Sequence, residues 1–236
     1  RILSQSGAGD RTARMPQGLL KTILKAPSGA GAEVQAHGAL IEGITFTGGG
    51  TGVSLVKCGL YSVTNVTVRN CVMRNCSKGF YMAQDNENGT PYTNFVSHCV
   101  ISNCTTYGLH AAGIHSGSNR RGNLLVDTTL ITGNKKAYYS DFQPTGGTQN
   151  QHVFANCTVV NNQGGLEILT NLKLFLRNTI VAGNGTSNLA KNSGSTITVD
   201  HSLVTVTSTG VTLIDSRADI PDIGWFKYDM REGRKY

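Results

Sequence analysis

Along this chain, apolar residues alternate with polar ones inside short phrases, and the phrases recur. Glu42-Gly-Ile-Thr-Phe46, Arg69-Asn-Cys-Val-Met73 and Ser97-His-Cys-Val-Ile101 come first. Val126-Asp-Thr-Thr-Leu130, Ala155-Asn-Cys-Thr-Val159, Arg177-Asn-Thr-Ile-Val181 and Asp200-His-Ser-Leu-Val204 follow. Aligned, the third residue gives a column of Ile44, Cys71, Cys99, Thr128, Cys157, Thr179 and Ser202, with steps of 27, 28, 29, 29, 22 and 23. Two residues on, every member is large and apolar: Phe46, Met73, Ile101, Leu130, Val159, Val181 and Val204. An offset of two keeps both columns on one face of a strand. Five past the first column stand Gly49, Cys76, Cys104, Gly133, Asn162 and Asn184, which are small or turn-forming.

A second phrase keeps the same period: Gly52-Val-Ser, Gly79-Phe-Tyr, Gly108-Leu-His, Ala137-Tyr-Tyr and Gly165-Leu-Glu. A fixed period in the twenties marks a solenoid whose repeats stack on their neighbours. The repeat carries strand patterns and no long amphipathic stretch, so the unit is all-β. A parallel β-helix follows, each short strand pairing with its counterpart one coil away, roughly 4.8 Å along the axis.

The phrases Ile41-Glu-Gly-Ile-Thr-Phe-Thr-Gly-Gly49, Asn156-Cys-Thr-Val-Val-Asn-Asn162 and Asn178-Thr-Ile-Val-Ala-Gly-Asn184 resemble right-handed parallel β-helix proteins of the pectate-lyase-like superfamily. Pro221-Asp-Ile-Gly-Trp-Phe-Lys-Tyr228 resembles the Pro-Asp-Ile-Gly-x-x-x-Tyr close of many bacterial extracellular members. The resemblance spans residues 38–228. It implies a right-handed single-stranded parallel β-helix of about seven coils and a secreted or cell-surface location. That fold hosts lyases, hydrolases, epimerases, adhesins and phage spikes, so it leaves the activity open. The expected organisation is an opening segment over 1–37, with a strand near Leu19–Leu24, a β-helix over 38–214, and a C-terminal cap over 215–236. That tail carries the only tryptophan, Trp225. It serves equally as an assembly contact.

Composition agrees with short strands and turns. Of 236 residues, 29 are Gly, 26 Thr and 19 Asn, a poor mixture for helices. No window of 18 apolar residues exists, so no membrane-spanning helix is expected. Because the chain starts at Arg1, it reads as a mature product or a fragment. The formal charge of +7 suits an acidic polysaccharide. It is diffuse and carries no binding motif, which argues against nucleic acid.

The six cysteines invite disulfides, but the columns stack Cys71 over Cys99 and Cys76 over Cys104. Parallel side chains there hold their Cβ atoms slightly too far apart for a bridge, so buried free thiols are the leading expectation and axial disulfides the next. Cys-x₄-Cys without a His pair is poor zinc spacing, and no metal site is expected. Six Asn-x-Ser/Thr sequons, at Asn65, Asn75, Asn88, Asn103, Asn156 and Asn184, read as turn chemistry rather than as glycosylation sites.

Strand parity locates the candidate chemistry. With Phe80, Leu109, Tyr138, Leu166 and Leu189 pointing inward, Ser54, Tyr81, His110, Tyr139, Glu167 and Ala190 point outward in one line, with Asp141 beside Tyr139. The small Ala83 and Ala112 leave room beside the aromatics. Tyr81 and Tyr139 offer ring faces to sugars. His110 suits a general base, and Tyr139 or Glu167 an acid, with Asp141 beside them. His115, Arg120, Arg121, Lys135 and Lys136 supply cations that neutralise a uronate carboxylate.

The glycine-rich run at 113–118 lacks the paired aspartates of β-helix polygalacturonases. The calcium-binding Asp cluster and Arg-x-Pro-x-x-Arg stretch of pectate lyases are missing too. Asp85-Asn-Glu-Asn88 could hold calcium but reads as a solvated turn, and no cofactor is expected. The longest loops, 84–94, 113–123 and 142–151, leave one end of the same sheet and would wall a groove. Two readings follow. One is a secreted protein that binds an acidic polysaccharide along its flank, with or without cleaving it as a lyase or hydrolase. The other is a structural or adhesive rod whose ends self-associate.

Overall fold

A computed structural model describes residues 2–3, 22–55, 57–58, 61–84, 92–113, 122–141, 150–169, 171–205 and 211–216. Of the expected cap over 215–236, residues 217–236, with Trp225 and the Pro221–Tyr228 motif, lie outside the described residues. So do Asp85–Asn88, His115, Arg120 and Arg121.

Three parallel sheets of nine, eight and seven strands wind around one core. A typical coil runs Thr93–Ser97 in the first sheet, Val100–Ser102 in the second and Tyr107–Gly113 in the third. Every strand of these sheets pairs in parallel with its counterpart one coil away, as in Val100–Leu130, Leu130–Thr158 and Thr158–Ile180. This is the parallel β-solenoid that the repeat predicts. Within the opening segment, Ile2–Leu3, Ile23–Lys25 and Ala30–Val34 already join the first, second and third sheets. At the other end, Val211–Ile214 is the last described strand of the first sheet. No described helix is long and apolar enough to cross a membrane.

The corners explain the asparagines. Between the first and second sheets the chain turns through a left-handed residue at each described corner: Gly43, Asn70, His98, Thr128, Asn156, Asn178 and His201, at φ of 71°, 53°, 52°, 47°, 54°, 48° and 46°. A second such corner precedes the third sheet at Asn75, Asn103, Gly133, Asn161 and Gly183. Glycine and asparagine occupy this region at least cost, so a fold that visits it twice per coil selects them.

Register corrects one coil of the sequence alignment. Leu130 pairs with Val100, and Ile131 with Ile101 and Val159. The inward residues of that coil are therefore Thr129 and Ile131, not Thr128 and Leu130. Ile131 is fully buried and Leu130 half-buried. The reason is the corner: Thr128 takes the left-handed position that asparagine fills elsewhere, and a one-residue slip exchanges the faces. The same slip makes Asn134, not Gly133, the neighbour of Cys104 and Asn162.

Polar ladders line two edges of the core. Cys71, Cys99 and Cys157 donate a thiol hydrogen bond to the carbonyl two residues back, at 3.2, 3.2 and 3.1 Å. Thr129, Thr179 and Ser202 donate a hydroxyl hydrogen bond in the same way, at 2.9, 2.8 and 2.7 Å. Thiol and hydroxyl interchange because the position needs a small side chain with one donor. The five cysteines whose side chains are described are free and buried. Burial pushes Cys76 up to about 11 and Cys104 and Cys157 up to about 12, so they stay as thiols.

The second ladder is amide. Asn134, Asn162 and Asn188 each accept the backbone N–H of the ladder residue before them, Cys104, Asn134 and Asn184, at 2.9, 2.9 and 3.2 Å. Gly79 shows how tightly coils stack: a Cβ there would lie 2.7 Å from the Gly108 carbonyl oxygen and 2.6 Å from Ile101.

Candidate functional site

The third sheet presents the predicted line. Ser54, Tyr81, His110, Tyr139, Glu167 and Ala190 are in register on successive coils. The alternate positions Phe80, Leu109, Tyr138, Leu166 and Leu189 are all buried to within 1%. Parity therefore sorts lumen from surface as period-two geometry requires.

Four rings form a cluster on this face. Tyr81 lies 5.3 Å from His110 between centroids, and His110 lies 5.5 Å from Tyr139. Tyr107, which the alternation misses, stacks on Tyr139 at 4.9 Å and 7° and lies 4.6 Å from His110. Counting back by two from Leu109 would send Tyr107 inward. At Gly108 the alternation shifts, and Lys78, Tyr107 and Lys136 emerge beside the outward line. The only sequence signal for Tyr107 is its place before the recurrent glycine, which it shares with Lys78.

Two lysines cover rings. The Lys78 ammonium lies 4.3 Å from the Tyr81 centroid, and that of Lys136 lies 4.8 Å from the Tyr139 centroid. Lys136 also donates to the Glu167 carboxylate in a half-buried ion pair. Partial burial lowers the Lys78 pKa, opposed by the nearby Asp141 carboxylate. Partial burial and then the Asp141 charge raise Tyr81 and Tyr139, so both are neutral phenols at neutral pH.

His110 sits at the centre. Its side chain is 9% exposed, and Nε2 lies 3.4 Å from the Asp141 Oδ1. Among the described residues, neither ring nitrogen has a hydrogen-bond partner. A nine-tenths buried imidazole with an uncommitted nitrogen beside a carboxylate has the arrangement of a general base and the group that orients it.

The structure thus brings together six predicted residues, Tyr81, His110, Tyr139, Asp141, Glu167 and Lys136. Lys135 stands exposed at the preceding corner. Ala83 and Ala112 do not provide open space: they are only 2% and 7% exposed. Among the described residues no group of three or more His, Cys, Asp or Glu is placed to hold a metal ion. No protein-family model, curated protein or solved structure matches this chain.

Proposed function

We propose that the protein binds an acidic polysaccharide along the outer face of its third sheet. The pectate-lyase-like resemblance and a secreted or cell-surface setting belong to the same reading. The observation that carries it is the pairing of ring and cation, with Lys78 over Tyr81 and Lys136 over Tyr139 on either side of His110. Rings supply flat apolar contact to the C–H faces of sugars, and ammoniums supply the partners for carboxylates. The face is built on strands, so its groups are positioned before ligand arrives.

A second reading, cleavage of the bound chain, is favoured by His110 and Asp141. A base at His110 would remove the proton next to a uronate carboxylate, Asp141 would stabilise the resulting imidazolium, and the neutral Tyr139 phenol would protonate the leaving oxygen.

Titration calorimetry against uronate-containing and neutral polysaccharides tests binding. Absorbance of unsaturated product tests elimination, and a reducing-sugar assay tests hydrolysis. Binding without product assigns a binding module. Product that disappears in His110→Ala/Tyr139→Phe assigns a lyase or hydrolase at this site. The absence of binding and of product across the panel refutes both readings. The structural rod that assembles through its ends then stands as the remaining reading, tested by light scattering.

A further inference from the structure

The two lysine-over-tyrosine pairs are repeats of one module. Lys78 precedes Tyr81 by three residues, and Lys136 precedes Tyr139 by three. In both the ammonium lies within 5 Å of the ring centroid. They stand on alternate coils, because Lys78 is in register with Tyr107, and Tyr107 with Lys136 through the adjoining Leu109–Tyr138 pair. The modules are therefore two coils apart, roughly 10 Å along the axis. The coil between them offers Tyr107 and His110 where its neighbours offer lysine and tyrosine. Its centre lies beside a carboxylate, with Asp141 3.4 Å from His110.

We infer that this face is matched to an acidic glycan carrying one carboxylate per disaccharide, an alternating copolymer of a uronate and a neutral sugar, and not to a uronate homopolymer. The inference rests on the acidic-polysaccharide binding reading above, not on cleavage with His110 as base, and specifies its substrate class. One pyranose unit in an extended chain advances about as far as one coil, roughly 5 Å. A chain along the axis thus sets every second sugar on a lysine module and the intervening sugar over His110. A uronate at the central position would meet the Asp141 carboxylate with no lysine in register, and like charges at close range disfavour it. A neutral sugar there meets the Tyr107 ring and the imidazole edge and brings no charge to oppose Asp141.

The test is titration calorimetry of the full chain at low salt with three sets of length-matched oligosaccharides: hyaluronan, whose glucuronate alternates with N-acetylglucosamine, polygalacturonate, and neutral cello-oligosaccharides. Hyaluronan is expected to bind at least tenfold tighter than polygalacturonate, and Lys78→Met and Lys136→Met are each expected to weaken it several-fold. Asp141→Asn is expected to narrow the gap by improving polygalacturonate. Unchanged far-UV circular dichroism and melting temperature keep these surface variants interpretable. Equal or tighter binding of polygalacturonate overturns the alternation and leaves acidic-glycan binding standing. Binding by neither anionic oligomer, or by cello-oligosaccharides best, overturns both.

Discussion

The Tyr138 hydroxyl hydrogen-bonds Nδ1 of His152 inside the lumen, where both side chains are fully buried. His152 Nε2 lies 3.3 Å from the Gly122 carbonyl oxygen. That carbonyl only accepts, so Nε2 carries the proton, Nδ1 accepts from the phenol, and the imidazole is neutral. Phe154 packs edge-on against Tyr138 at 5.2 Å. The pair satisfies two polar groups that the core would otherwise strand.

This pair makes stability fall in acid. Burial depresses His152 from 6.5 to about 4, only partly offset by the Gly122 carbonyl. Between those values the unfolded chain binds a proton that the folded chain does not, so stability rises with pH across that window. The contribution is complete above pH 6.5, lost progressively as pH falls toward 4, and worth about 3 kcal/mol. Urea denaturation at pH 7.5 and 4.5 measures it. His152→Phe is expected to be less stable at pH 7.5, because it strands the Tyr138 hydroxyl, and to lose less on acidification. An identical acid dependence in wild type and variant would refute this account.

The amide ladder predicts a large local cost. Asn162 accepts the Asn134 backbone N–H, and its own amide N–H groups reach the Ile131 and Val160 carbonyls at 3.1 Å and the Asn184 side chain at 2.8 Å. Asn162→Ala removes all of these and leaves buried backbone groups unsatisfied, at a cost of about 3 kcal/mol. Asn162→Asp restores the acceptor but not the donors and recovers little. Chemical denaturation of the two variants settles it, and a loss below about 1 kcal/mol in Asn162→Ala would show that the ladder is dispensable.

Thr128 offers a gain. It holds φ of 47° at a corner where Asn70, Asn156 and Asn178 hold the same geometry. A β-branched residue is strained there and asparagine is not. Thr128→Asn is expected to stabilise the protein by about 1 kcal/mol, read as an increase in denaturation midpoint at unchanged slope. A decrease would show that the threonine side chain contributes something the geometry does not reveal.

The solenoid was legible because its period and its two inward columns are carried by single residues that recur, as Phe46, Met73 and Ile101 do. Legibility failed where a residue took an unusual place. Thr128 at an asparagine corner sits beside Thr129, and two identical polar neighbours conceal which one faces the core. The outward line Tyr81–His110–Tyr139–Glu167 was readable from period two alone. Tyr107 was not, because the alternation shifts at Gly108. Nor could strand parity show that Lys136 neutralises Glu167. That pairing joins residues 31 apart through side-chain reach rather than backbone register.

The Lys136–Glu167 pair separates the two uses of the platform. If Glu167 serves only to hold Lys136 over Tyr139, it competes with an incoming carboxylate for that ammonium. Glu167→Gln then frees the cation and tightens an acidic oligosaccharide roughly threefold, within the range of a partly exposed ion pair. If Glu167 instead acts as a general acid, the same substitution abolishes product formation and leaves affinity nearly unchanged, because the amide keeps the shape but cannot donate the proton. The geometry favours the first outcome, since the carboxylate already accepts from the Lys136 ammonium. Calorimetry and a product assay on the one variant read both effects. Weaker binding with unchanged turnover would remove Glu167 from either role.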